Sequence, residues 1–168
     1  MDLLVVRHAV AEDRETFAAT GKSDTERPLT AAGRRKFKRA AHGLHQLVEV
    51  IDLLATSSLV RAVQTGDILQ KVYGIDGAVR LRELSPEAEP ASLVRWLARQ
   101  RKRGLVAVVG HEPHLSTLAE HLLTGRRGEF LDLKKGGACL LALGDAPAAG
   151  RAELRWLLTA AQLGALAR

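Results

Sequence analysis

A chain of 168 residues with 46% hydrophobic content suits one globular domain with a sizeable core. Its apolar runs fall short of the roughly 18 residues that a membrane span needs, so no membrane partner is expected. The net charge of +6 favours anionic partners, but aromatic residues for base stacking make up only 4% and no nucleic-acid motif is present, so nucleic acid is not an expected ligand.

The chain opens on "MDLLVVRH", which lacks the basic region and small-residue cleavage site of a secretory signal. Its apolar run, residues 3–6, predicts a strand that ends on Arg7 and His8. A long polar connection comes next at 9–28, of a length that is often functional. Residues 30–51 then read as a helix. Thr30 suits its N-cap, and Phe37, Ala40, Leu44, Leu47, Val48 and Ile51 share one side, with most of the basic cluster "RRKFKR" opposite. "DLLATS" (52–57) predicts a second strand, and 59–73 a helix carrying Ala62, Leu69 and Val72 inward and Arg61 near its first turn. Residues 91–101 place Leu93, Trp96 and Leu97 at helical spacing, and the basic run "RQRKR" reads as a solvated helix face. "GLVAVVG" (104–110) predicts a third strand, with His111 directly after it. The helix predicted over 113–124 has Pro113 at its start and Gly125 at its end.

The last third changes period. "ACLLAL" (138–143) and "RAELRWLL" (151–158) flank the turn-rich "GDAPAAG". The second run sets Ala152, Leu154 and Trp156 against Arg151, Glu153 and Arg155, an alternation that predicts an antiparallel hairpin at the sheet's edge. Strands without polar alternation, separated by helices, are covered on both faces. The expected fold is α/β: one domain over 1–168, a three-layer α/β/α arrangement with a mostly parallel central sheet and an antiparallel edge strand.

Ligands of such sheets bind beyond the carboxyl ends of the strands. The residues just past each predicted strand are therefore candidates for a site: Arg7 and His8 after the first, Ser57, Ser58 and Arg61 after the second, His111 after the third. Paired arginine forks grip a tetrahedral phosphoryl group, and a helix start beside Arg61 adds backbone donors. A neutral imidazole can attack phosphorus, and a second can donate to a phosphoryl oxygen. The residues predict a site for phosphate or another oxyanion. Ser57 and Ser58 are close enough to touch such an anion. Cys139 lacks the arginine six positions on that a cysteine phosphatase needs, because Asp145 stands there. As the single cysteine it excludes an internal disulfide and fits a reducing cytoplasm. His42, His45, His114 and His121 fall in helical stretches and read as structural or exposed, His114 being near enough to His111 to reach the same pocket.

"VVRHAVAED", "TSSLVRAVQT" and "VVGHEPHLS" resemble, in order, the signature segments of the histidine phosphatase superfamily, also called the phosphoglycerate mutase-like or RHG family. "RPLTAAGRR" is similar to that family's lead into its first helix, and "RPLT", "ELSP" and "GHEPHL" resemble the short bacterial phosphohistidine phosphatases of the SixA type. The resemblance implies a phosphohistidine phosphatase whose partner is a phosphohistidine-bearing protein. It assigns the nucleophile to His8, the phosphoryl clamp to Arg7 and Arg61, and completion of the pocket to His111. No metal and no other cofactor are implied. Glu83, in "LRELSPEAEP", lies in the segment where many relatives carry a proton donor, with Glu12 and Asp13 as weaker candidates. Ala9 replaces the glycine that most of the superfamily has after its nucleophile. A small-molecule phosphomonoesterase or mutase of the same superfamily is the alternative reading, and a non-catalytic phosphate- or phosphoprotein-binding module a more distant one. An imidazole leaving a P–N bond needs less help from an acid than an alkoxide does, which favours the first reading.

Overall fold

The apolar runs pair into one six-stranded sheet in the computed structural model, which describes residues 1–167. The strands are β1 (Asp2–Arg7), β2 (Leu53–Thr56), β3 (Val79–Arg80), β4 (Leu105–Gly110), β5 (Ala138–Ala142) and β6 (Glu153–Leu158). Their spatial order is β3-β2-β4-β1-β5-β6. The first four run parallel, while β5 and β6 form the antiparallel edge. Because β1, β2 and β4 are parallel and in step (Val6 opposite Val109, Thr56 opposite Val109), their carboxyl ends reach one edge of the sheet.

Both faces of the central strands are apolar because both are covered. On one face, Leu4, Val6, Leu54 and Val109 pack beneath α2 (Ala31–Leu47), α3 (Val60–Tyr73) and α6 (Ala160–Leu166) through Phe37, Leu44, Leu69 and Leu163. On the other, Leu3, Val5, Val106 and Val108 meet α4 (Pro90–Ala98) and α5 (His114–Thr124) through Leu93, Leu97, Leu115 and Leu118. The three-layer α/β/α fold expected from the sequence is the one observed.

Several local expectations change. The helix predicted over 30–51 stops at Leu47, because Val48 turns extended at φ −133° and the β-branched Val48, Val50 and Ile51 disfavour continuing it. Val48 and Ile51 are buried all the same, in the cluster their helical spacing suggested. The helix over 91–101 ends at Ala98, ahead of its basic run. The alternation of 151–158 is broken by a register shift between Leu140 and Leu141, where Trp156 faces Leu140 and Leu154 faces Leu141. That extra residue in β6 sends Ala152 toward one core cluster and Trp156 toward the other. The connection 9–28 is also structured. It holds α1 (Arg14–Ala18), a 3₁₀ turn at Asp24–Glu26 closed by a capping box from Ser23, and a bridge between Ala11 and Leu29.

The C-terminal helix α6 is not foreshadowed by any strong periodicity in the sequence. Thr159 and Gln162 cap it reciprocally, and Leu163 is its buried anchor. It lies so close to α2 that a Cβ added at Gly43 would sit 1.7 Å from the Leu163 carbonyl oxygen. Gly43→Ala must therefore push the two helices apart. We expect it to lower stability by about 1–3 kcal/mol, read as a lower urea midpoint at unchanged slope.

Candidate active site

Three parallel strand ends build the site. The amide of His8 donates to Gly110 O at 3.0 Å and that of Ser57 to Val109 O at 3.0 Å, so the segments leaving β1 and β2 are tied to β4. His111 comes directly after β4, and Arg61 is the second residue of α3. Arg7, His8, Arg61 and His111, which the sequence scatters over more than one hundred positions, line one cavity of about 490 Å³. Arg14, Arg27 and Lys135 join them, as do three carboxylates, Glu12, Asp13 and Glu112.

The two imidazoles lie 5.0 Å apart between ring centroids and are tilted by 50°. His8 Nδ1 is 2.7 Å from the carbonyl oxygen of Ala9. A carbonyl only accepts, so Nδ1 carries the proton and the neutral ring keeps its lone pair on Nε2. The ring is neutral at ordinary pH. Burial, with added repulsion from Arg61, Arg7 and Arg27, pulls its pKa from 6.5 down to about 4. His111 falls further, to about 3, through burial and then its charged neighbours, His8 first.

The arginines are held from behind. Arg7 Nη1 donates to Leu133 O at 2.6 Å. Arg61, whose side chain is only 4% exposed, donates to Asp24 O at 2.9 Å and meets its carboxylate at 3.2 Å. Arg27 donates to the same carboxylate at 2.7 Å and to Glu12 O at 2.7 Å, and Arg14 stands 3.6 Å from it. One aspartate thus gathers three arginines, which hold its own carboxyl below the usual range. The Nε atoms of Arg7 and Arg61 are buried with no hydrogen-bond partner among the described residues.

Three expected site residues lie elsewhere, the first being Ser58, which is exposed and does not line the cavity. Ser57 is fully buried beneath the cavity and does not line it; its Oγ is 2.6 Å from His111 Nε2, so it orients that ring. Glu83 does not line the cavity either. The 3₁₀ turn Arg82–Leu84 sinks Leu84 into the core and leaves Glu83 in an adjoining depression with Ser85 and Glu87. Glu12 and Asp13, the weaker carboxylate candidates, do line the cavity. His114 is buried beside it, in a cleft with Glu87 and Arg127, and His45 packs edge-on against Tyr73. Sequence reasoning missed Arg14, Arg27, Lys135, Glu112 and the organising Asp24. Of these, Arg27, which opens "RPLT", and Glu112, inside "GHEPHL", carried a sequence signal.

A sequence model described as histidine phosphatase superfamily, branch 1, matches residues 3–87, about half of the chain and the part that contains Arg7, His8 and Arg61. The chain belongs to the histidine phosphatase superfamily. An uncharacterized protein of Picosynechococcus is 34% identical over 148 residues, 87% of either chain. Among solved structures, the protein histidine phosphatase SixA complexed with tungstate is similar with a TM-score of 0.79 at 23% identity, over 97% of this chain and 99% of that one. A putative phosphohistidine phosphatase SixA from Agrobacterium tumefaciens gives 0.76 at 24%, over 94% and 97%. An alpha-ribazole phosphatase from Shigella flexneri gives 0.70 at 17%, over 95% and 97%. At these identities the structures establish the shared fold.

The alanine that departs from the superfamily's glycine fits without strain. Among the described residues no non-glycine residue has a positive φ, so nothing at Ala9 requires glycine. Its amide donates to Thr65 Oγ1 at 3.0 Å, and its carbonyl accepts from His8.

The depressed histidines make stability pH-dependent. Their folded pKa values lie below 6.5, so the unfolded chain binds more protons between the two values. Stability is complete above about pH 6.5 and is lost as pH falls toward 4. NMR titration of the ring nitrogens should show both imidazoles neutral at pH 7 and His8 protonating near 4. A His8 transition near 6.5 would refute the assigned environment.

Proposed function

We propose that the protein is a phosphohistidine phosphatase working through a covalent phosphoryl group on His8. The observation that carries this reading is a neutral His8, with its Nε2 lone pair free to react, in one cavity with Arg7 and Arg61. In the first step Nε2 attacks phosphorus and the substrate's P–N bond breaks, its imidazole leaving as the protonated ring gives up the phosphoryl group. In the second, water takes that group from His8 and releases inorganic phosphate. Arg7 and Arg61 hold the equatorial oxygens, and His111, set by Ser57, faces the same anion. The positive field of these arginines does the work that a metal does in other phosphatases, so this reading requires none.

Three considerations favour a protein-borne phosphohistidine. A departing imidazole has a conjugate-acid pKa near 6.5 and needs little protonation by the enzyme, unlike an alkoxide. The SixA proteins with the same fold are described as histidine phosphatases. The cavity is also open to the surface, lined in part by the exposed Glu12, Asp13 and Arg14, which makes it accessible to a ring carried on another protein. The rival reading, a small-molecule phosphomonoesterase, draws support from the alpha-ribazole phosphatase of like fold.

His8→Ala should lower turnover by about 10³-fold or more while still binding inorganic phosphate, since the arginines remain. Arg7→Ala should lose both. Near-normal turnover by His8→Ala would overturn the nucleophile assignment. A panel of a phosphohistidine protein, free phosphohistidine and alkyl phosphates decides the substrate, and kcat/KM at least as high on an alkyl phosphate would turn the assignment toward the rival.

A further inference from the structure

We propose that Glu112 is the proton donor of this site, touching the leaving group as it departs and then the water that replaces it. The proposal rests on the reading of His8 as nucleophile and extends the site's reach to phosphate esters.

Position is the first ground. Glu112 sits one residue past His111 at the end of β4 and lines the cavity together with both imidazoles and Arg7. Its backbone is fixed on both sides. The His111 carbonyl accepts from the Leu115 amide at 3.0 Å, and Pro113 O accepts from the Thr117 amide at 3.0 Å. The carboxylate is anchored at one oxygen, Oε1, by the Ser116 amide at 3.2 Å.

The second ground is what the other acids are doing. Asp13 accepts from both the amide and the hydroxyl of Thr16 at 2.9 Å as the N-cap of α1, an arrangement that keeps it ionised. Asp24 is engaged by Arg14, Arg27 and Arg61. Glu120 is buried under three amides, those of Gly128, Phe130 and Leu131. Glu83 faces a different depression. Glu12 lines the cavity but is exposed on the 9–28 segment, where it stays in water. Glu112 is half-buried, and burial raises its pKa against the opposing pull of Ser116 and of Arg7, with Asp132 adding to the rise. A carboxyl biased toward its protonated form, beside a neutral nucleophile, divides the acid and base tasks between two groups.

The proton balance closes over two steps. As His8 Nε2 bonds to phosphorus, the P–O bond of an ester breaks, and its electron pair stays on the leaving oxygen, which takes the proton of Glu112. An alcohol departs, leaving phospho-His8 and a Glu112 carboxylate. Water then bonds to phosphorus and gives its proton to Glu112 as the P–Nε2 bond breaks, which releases phosphate and restores both residues.

A leaving-group series on the intact protein tests this. Aryl phosphates leave readily without protonation, whereas alkyl phosphates do not. Glu112→Gln should lower kcat/KM on alkyl phosphates by about 10²–10⁴-fold, and on a good aryl phosphate or on phosphohistidine by less than about tenfold. Glu112→Asp, which keeps an acid at the position, should recover part of the alkyl activity. A loss equal across the series, no loss, or a selective alkyl loss in Glu83→Gln or Glu12→Gln instead would overturn the proposal. Trapping phospho-His8 separates the two readings. Wild-type protein that never acquires it sinks the proposed function, whereas normal trapping with a uniform Glu112→Gln effect sinks Glu112 alone.

Discussion

Two imidazoles with centroids 5.0 Å apart share one cavity with a cluster of arginines, and that setting favours both in the uncharged form. Were both protonated, their repulsion at that separation would be about 3 kcal/mol at an effective dielectric of 20, a shift of about two pKa units before burial is counted. Burial is the larger cause for each ring, and the arginines act in the same direction. The positive field of the arginines therefore adds to burial in keeping His8, the proposed nucleophile, deprotonated. Charge neutrality alone would leave open which nitrogen carries the lone pair. The Ala9 carbonyl settles it by holding the proton on Nδ1, and that carbonyl is itself held because the Ala9 amide is tied to Thr65. Thr65 in turn donates to the Arg61 carbonyl at 2.7 Å, so the orientation of His8 and the course of α3 are linked by two hydrogen bonds.

Packing so many cations around one cavity costs repulsion, and Asp24 offsets it. Its side chain is partly exposed, whereas that of Arg61 is nearly buried, so the aspartate sits between solvent and the inner arginine. The Asp24 backbone carbonyl takes a further guanidinium nitrogen of Arg61, which fixes the plane of the fork as well as its charge. The short 3₁₀ turn that carries Asp24 is capped by Ser23 and Glu26, so the polar 9–28 segment is locally ordered where the arginines need it. The loop's function is mechanical: it brings a counter-charge to three arginines from α1, from the start of "RPLT" and from α3.

Much of this was legible in the sequence because its signals are local. An apolar run without alternation identifies a doubly covered strand, and residues at the ends of parallel strands converge whatever lies between them. Arg7, His8, Arg61 and His111 are found by that rule alone. The failures have a common origin in features that only tertiary contact defines. The extra residue in β6 is invisible in "RAELRWLL", since a perfect alternation persists in the letters while the pairing with β5 slips. Helix α6 is short and alanine-rich, and its reason to form is the α2 surface it covers. Glu83 and Glu112 lie in segments of similar appearance, both acid-bearing and both near a proline or serine. Only the 3₁₀ turn after β3 and the tight turn after β4 decide which of them meets the cavity. Ser57 stands just past its strand as the rule requires, yet burial gives it His111 as a partner in place of an anion.

The distribution of charge within the cavity separates capture from grip. Arg14 and Lys135 are exposed at its margin, where salt at 0.15 M screens attraction beyond about 8 Å. Arg61 is buried, and so is the inner edge of Arg7 that holds its unpartnered Nε; interactions there are screened far less. In the proposed reaction the margin governs how fast an anion arrives and the interior how firmly it is held. A rigid interior also explains why the inner arginines rest on backbone carbonyls, Leu133 for Arg7 and Asp24 for Arg61, rather than on carboxylates alone. A carbonyl fixes a guanidinium without neutralising it, so Arg7, which makes no salt bridge among the described residues, keeps its charge for the anion of the proposed reaction. Had both forks been paired only with carboxylates, an incoming dianion would have had to displace an equal charge before it could bind.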